Sequence, residues 1–154
     1  MCERYPGLRA EVIDLKPAVE QGRKIIEEHK LGDRVSFRTG DLRTIDWGDD
    51  YDLILLFNIL HIFFAEEDQE IFNKAYHSLV PGGVVVILDS EHPGKDKKLS
   101  PASGFNELLF FIINGTQIYP EKVIRGWMKN AGFCNIRKRK FLFMPMALFL
   151  TGEK

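Results

Sequence analysis

The sequence predicts an α/β fold, a mostly parallel sheet whose last two strands run antiparallel. Three observations carry this. Apolar runs alternate with amphipathic segments along the chain, the pattern of βαβ units. The run Tyr51 to Ile59 is nearly continuous in apolar residues, as in a strand covered on both faces. The segments Asn135 to Phe143 and Met146 to Thr151 lie so close together that they can pair only antiparallel.

The elements follow in order. Arg9 to Leu15 is the first strand, with Asp14 at its end. Pro17 suits the first turn of a helix that carries Val19, Ile25, Ile26 and Leu31, with Gly32 as its stop. Arg34 to Thr39 is a second strand, ending at Gly40-Asp41, and a loop through Trp47 to Asp50 leads to Tyr51. After that strand, Glu66, Glu67 and Asp68 begin a helix, acids placed at the positive end of its dipole. Ile71, Phe72, Ala75 and Leu79 form its inner face. Pro81-Gly82-Gly83 reads as a turn, and Val84 to Leu88 as a buried strand ending at Asp89. The stretch Ser90 to Ser103, with its Lys and Pro, reads as a polar loop. Phe105 to Ile113 is apolar enough to predict a buried helix, and Pro120 to Ala131 predicts another, closed by Gly132.

Composition narrows the class. The 154 residues suffice for one domain, and 45% hydrophobic with 12% aromatic residues can pack a core. Twenty-one Lys and Arg stand against 22 Asp and Glu, a net charge of -1. That balance offers no attraction to nucleic acid or to an anionic membrane. The two cysteines, Cys2 and Cys134, match neither a disulfide framework nor a zinc pattern, which predicts a reduced, cytoplasmic setting. The first seven residues hold no apolar signal core, and the longest apolar runs fall well short of the ~20 residues that span a bilayer.

Ligands of open parallel sheets sit beyond the carboxyl ends of the strands. Those ends carry Asp14, Gly40-Asp41, Asn58 with His61, and Asp89 with Glu91. A carboxylate at one strand end can accept from both hydroxyls of a ribose. A second acid, placed after a glycine at the next strand end, can accept from an adenine amino group. Each acid taken singly reads equally as a solvated loop residue; the pair in register points to a nucleoside. His61 is either a proton acceptor or a packing residue beside Phe63 and Phe64. Asp89, Glu91 and His92 offer oxygen and imidazole donors, but a polar loop accounts for them without a metal. Arg137 to Lys140 would alternate faces on a strand, as a solvated sheet edge does. Phe105, Leu108, Leu109, Phe110 and Phe111 fit either an aromatic acceptor pocket or core packing.

The stretches Glu11 to Leu15, Val35 to Leu42, Tyr51 to Ile54 and Leu79 to Gly83, with the closing strand pair, together resemble the class I S-adenosylmethionine-dependent methyltransferases. Asn58-Ile59-Leu60-His61, and Asn114-Gly115 through Ala131-Gly132-Phe133, are similar to the small-molecule O-methyltransferases with a separate N-terminal dimerisation domain. The resemblance implies a Rossmann-like sheet, S-adenosylmethionine as cofactor and a small, aromatic hydroxyl acceptor. It implies that Asp14 meets the ribose hydroxyls, that Asp41 and Leu42 meet the adenine end, and that Leu15, Gly40 and Asn58 also bind the cofactor. It gives His61 the role of general base, and a full-length form the habit of a homodimer. Metal is not implied.

The chain departs from the family twice. The opening strand and glycine-rich loop for the methionine end of the cofactor are absent before Tyr5-Pro6-Gly7, so residues 1–154 read as one N-terminally incomplete catalytic domain with weak cofactor binding and little turnover alone. The acid expected to support the histidine near Gly115 to Pro120 is replaced by Thr116-Gln117-Ile118-Tyr119. Two rival readings remain: a non-catalytic relative that acts by pairing with another chain, and a fragment of a nicotinamide-dependent dehydrogenase.

Overall fold

The computed structural model describes residues 1–92, 101–142, 144 and 146–154, apart from the side chain of Ala102. The chain forms two compact units, Met1–Trp47 and Gly48–Lys154. The expected turn at Pro145 and most of the loop after Glu91 lie outside the described residues.

In the first unit, β1 (Ala10–Asp14) and β2 (Val35–Thr39) pair in parallel, with Asp14 opposite Thr39. The crossover helix α1 (Lys16–Glu28) has Pro17 in its first turn, as expected. Its end differs from the expectation. Gly32 does not stop it; Lys30 does, by taking a left-handed conformation at φ 55°. The Lys30 N–H then donates to the Glu27 carbonyl and the Leu31 N–H to that of Ile26, both at 3.0 Å. This closure brings Leu31 back over Ile26, and both join a small core with Cys2, Val35, Leu8, Ala10 and Phe37. Burial of Leu31 fixes the turn, so the strain falls on the residue before it.

The second unit holds β3 (Tyr51–Phe57), α2 (Ala65–Ser78), β4 (Leu79–Ser90), α3 (Pro101–Asn114), α4 (Glu121–Ala131), β5 (Cys134–Arg139) and β6 (Ala147–Glu153). Its sheet runs β3-β4-β6-β5, with β3 parallel to β4, and β6 antiparallel to both β4 and β5. The Pro81–Gly83 turn is absorbed into β4, which pairs with β3 at Leu79 and again from Val84 on. Phe72, Ile71, Ile87, Ile124, Met128, Leu148 and Leu150 form the core. The inner face expected of α2 is buried throughout, and Leu79 completes it from β4.

Two expectations of burial fail. Leu55 and Phe57 of β3 stay exposed, because β3 is the edge strand of this sheet and has one hydrogen-bonded neighbour among the described residues. Helix α3 begins four residues earlier than expected and is not buried: Phe105, Leu108, Phe111, Ile112 and Ile113 are each more than half exposed. Arg137, Lys138 and Arg139 of the basic run lie on the edge strand β5, but Lys138 is not solvated: it pairs with Glu91 and Glu121.

Helix α4 ends by the same device as α1, here on a glycine. Gly132 has φ 112°, its N–H donates to Lys129, and Phe133 donates to Met128. A Cβ on Gly132 would stand 2.8 Å from the Tyr76 ring. The two closures predict opposite substitutions. Lys30→Gly relieves the left-handed strain and raises stability by about 1 kcal/mol, whereas Gly132→Ala lowers it by about 2 kcal/mol. Urea unfolding midpoints of the two variants measure both.

Candidate active site

In the first unit, the expected nucleoside residues meet at the carboxyl ends of β1 and β2. The Gly40 N–H donates to the Asp14 carbonyl at 3.0 Å, which joins the two strand ends. Asp14 is exposed, and its Oδ1 accepts from the Leu15 N–H at 2.7 Å. Oδ2 has no protein partner among the described residues. Asp41 is differently placed. Its two oxygens are forked by Arg43, at 2.6 Å from Nη2 to Oδ2 and 3.0 Å from Nε to Oδ1. The Leu42 carbonyl accepts from the indole of the buried Trp47 at 2.8 Å, so this corner is fixed from both sides.

In the second unit, Asn58 leaves β3 with a left-handed φ of 53° and donates its N–H to the Leu88 carbonyl at 2.8 Å. Asparagine tolerates that conformation, and it turns the chain into a short 3-10 helix, Leu60–Ile62. This places His61 beside the end of β4, where the imidazole is buried. Nδ1 lies 2.7 Å from Asp89 Oδ1. An ionised carboxylate only accepts, so Nδ1 carries the proton and the lone pair of the neutral ring is on Nε2. Asp89 also accepts from the Leu60 N–H at 2.9 Å and the Ser90 N–H at 2.7 Å. Phe110 of α3 stacks on the imidazole with ring centres 3.9 Å apart. Thr116 Oγ1 donates to the His61 carbonyl at 2.5 Å.

The acid that supports the histidine therefore comes from Asp89 at the end of β4, and not from the segment after Gly115. Gln117 is exposed. Asp89 was read from sequence as a loop acid or metal ligand; it is buried and turned inward. Its neighbours have other partners: Glu91 accepts from Lys138, and His92 stands 3.5 Å from Glu107. Lys138 also donates to Glu121 at 2.9 Å, and hydrogen bonds from Lys138 and Arg125 outweigh burial and hold Glu121 below the ordinary carboxylate range. Of the aromatic run, Phe110 is the member that reaches His61.

The three acids expected at the start of α2 all stand in its first turn, and one of them, Asp68, is turned into the core. It is fully buried, and neither oxygen has a hydrogen-bond partner among the described residues. Glu67 takes the terminal role instead, accepting from the Phe64 N–H at 2.9 Å. Burial pushes the Asp68 carboxyl up to about 9, and the Asp89 and Glu67 carboxylates add to the shift.

The chain belongs to the O-methyltransferase domain family, whose model matches residues 1–134. It is 26% identical over 136 residues to an L-tyrosine C(3)-methyltransferase of Streptomyces lavendulae, covering 86% of this chain and 37% of that protein. It is 29% identical over 138 residues to a tetracenomycin polyketide synthesis 8-O-methyl transferase of Streptomyces glaucescens, covering 86% and 39%. The fold matches that of an O-methyltransferase family 2 protein from Planctomyces limnophilus, solved with apigenin, at a TM-score of 0.88 and 22% identity. That match covers 99% of this chain and 44% of the other. The chain thus spans less than half the length of these relatives. Among the described residues, no helix is long and apolar enough to cross a membrane.

Two substitutions probe this site. Asp89→Ala strands the Leu60 and Ser90 N–H groups and costs about 3 kcal/mol of stability, read from urea unfolding. For Asp68 the sign follows from its shift. The folded state keeps a proton that the unfolded chain releases above about pH 4, so stability falls as pH rises from there through about 9. Asp68→Asn removes that loss. It is expected to be more stable than the parent at pH 8 by at least about 1 kcal/mol, with the gap shrinking towards pH 4.

Proposed function

We propose that the chain is the greater part of the catalytic domain of an S-adenosylmethionine-dependent O-methyltransferase acting on a hydroxyl of a small, aromatic molecule. The observation that carries this reading is His61, whose Nδ1 is held by Asp89 at 2.7 Å in a chain of the O-methyltransferase domain family. Methyl transfer from a sulfonium is an in-line displacement. The protein has to position two reactants and remove one proton. Nε2 of His61 would take the acceptor hydroxyl proton while the methyl–sulfur bond of the donor breaks to release S-adenosylhomocysteine, and Asp89 would stabilise the imidazolium that results.

The donor set at the ends of β1 and β2 fits a nucleoside. Asp14 offers a carboxylate with one oxygen uncommitted to the ribose hydroxyls, and Leu15 supports it from the backbone. Gly40, Asp41 and Leu42 would hold the adenine end, where the Asp41 carboxylate can accept from an amino group. Asn58 is assigned to the cofactor as well. S-adenosylmethionine, when bound, supplies the electrophilic methyl group. An aromatic acceptor is supported by Phe110, which lays an aromatic face beside the base. The family resemblance further supports a homodimer in a longer form and a cytoplasmic place of action.

Calorimetric titration with S-adenosylhomocysteine tests the cofactor assignment: Asp14→Ala is expected to weaken binding at least about 10-fold, the loss of a charged hydrogen bond. Tighter binding of NADH would overturn it. Transfer of labelled methyl to a panel of phenols tests the base, and His61→Ala is expected to slow it about 100-fold or more at unchanged cofactor affinity. Ring-methylated products in place of methyl ethers would sink the assignment to oxygen.

A further inference from the structure

We propose that Thr116 is a positioning residue for His61: from the connection between α3 and α4, its hydroxyl holds the carbonyl of the residue whose imidazole meets Asp89, and so fixes where that ring stands. The consequence for methyl transfer rests on the reading of His61 as the base; the anchoring itself does not.

The turn that carries His61 is too short to hold itself. Leu60–Ile62 is a single 3-10 turn, closed by the bond from the Ile62 N–H to the Ile59 carbonyl at 3.0 Å. Such a turn leaves its last carbonyls without partners of its own, and a buried carbonyl needs a donor from elsewhere. Two side chains of one segment supply the donors. Thr116 Oγ1 donates to the His61 carbonyl at 2.5 Å, and the Tyr119 hydroxyl donates to the Phe63 carbonyl at 3.0 Å. Thr116 and Tyr119 are both buried, and they stand 55 and 56 positions after the residues they hold.

Their segment is anchored in its own right. Gly115 takes φ 70° and its N–H donates to the Phe111 carbonyl at 2.9 Å, which ends α3 and redirects the chain. Ile118 is buried with Thr116 and Tyr119, while Gln117 is exposed. The Tyr119 ring meets Trp127 of α4 edge-on, with ring centres 4.7 Å apart. His92 pairs with Pro120 in a parallel bridge, so the segment is also tied to the chain that leaves β4.

His61 is therefore held from three elements. Asp89 takes Nδ1 at the end of β4, Phe110 of α3 covers the ring, and Thr116 takes the backbone. The first two fix the imidazole only while the backbone of His61 stays in place. Without the third, the turn can pivot about Leu60, whose N–H Asp89 holds, and the ring slides along Phe110. A reacting group displaced by about 1 Å loses roughly 100-fold in rate, so a hydroxyl that touches no substrate still governs transfer.

Hydrogen exchange followed by nuclear magnetic resonance of the chain tests the anchoring without any substrate. In Thr116→Val, the His61 Nδ1–H and the Leu60 amide are expected to exchange at least about 10-fold faster than in the parent, while the paired amides of β4 and β6 keep their rates. Thr116→Ser keeps the hydroxyl and is expected to keep the slow exchange. Parent-like exchange in Thr116→Val, an equal acceleration throughout β4 and β6, or fast exchange in Thr116→Ser each overturns the proposal. In the labelled-methyl assay with phenols, Thr116→Val is expected to lower kcat at least about 10-fold at an unchanged KM for S-adenosylmethionine. An unchanged kcat in a variant whose ring has come loose also overturns the positioning role. The expected exchange pattern in a parent chain that transfers no methyl group would overturn the proposed function and leave the anchoring standing.

Discussion

The second unit turns on one buried carboxylate. Asp89 closes β4, the strand that joins the parallel and antiparallel parts of the sheet, and it receives three hydrogen bonds there. Two come from backbone and one from the imidazole. The backbone bond from Leu60 ties the chain leaving β3 to the end of β4, so the short helix that carries His61 cannot swing away. Charge-assisted bonds of this kind are stronger and shorter than neutral ones, and the interior around Asp89 leaves them little competition from water. The position of His61, its tautomer and the path of the chain between β3 and α2 all follow from that group.

The surroundings show how much of the site is set by packing. Phe110 covers one face of the imidazole, and Thr116 holds the carbonyl of the same residue from the segment before α4. Both belong to elements far away in sequence. The ends of β1 and β2 are organised by local contacts, in which a strand end, a tight turn and an Arg–Asp fork share a few successive residues. A site of the first kind needs the whole unit to be folded; one of the second kind needs little more than two strands and a turn.

This difference explains what the sequence made legible. Strands β1 to β4 were visible because an apolar run bounded by turn residues has few other readings. Asp14, Gly40 and Asp41 were visible because their positions at strand ends follow from those runs. The partner of His61 was not, since Asp89 lies 28 residues away and nothing local marks an acid as turned inward. The place of Asp68 in the first turn of α2 was legible, but nothing local marks it as the acid on the inner face, turned into the core. The α3 segment misled, because strong apolar composition implies burial only if a neighbour exists to cover it. At α1, the glycine seemed the natural stop, yet the left-handed residue that closes the helix is Lys30, two residues earlier, where Leu31 can be buried.

The double duty of Asp89 bears on how such a chain would drift. An acid that anchors two backbone groups is retained for the sake of the fold, whatever becomes of the chemistry. A descendant released from catalysis would keep the aspartate and lose the histidine first, because the imidazole gives the fold only one of the three bonds. The presence of His61 beside Asp89 is therefore the more telling inheritance, and the aspartate by itself records ancestry more than use.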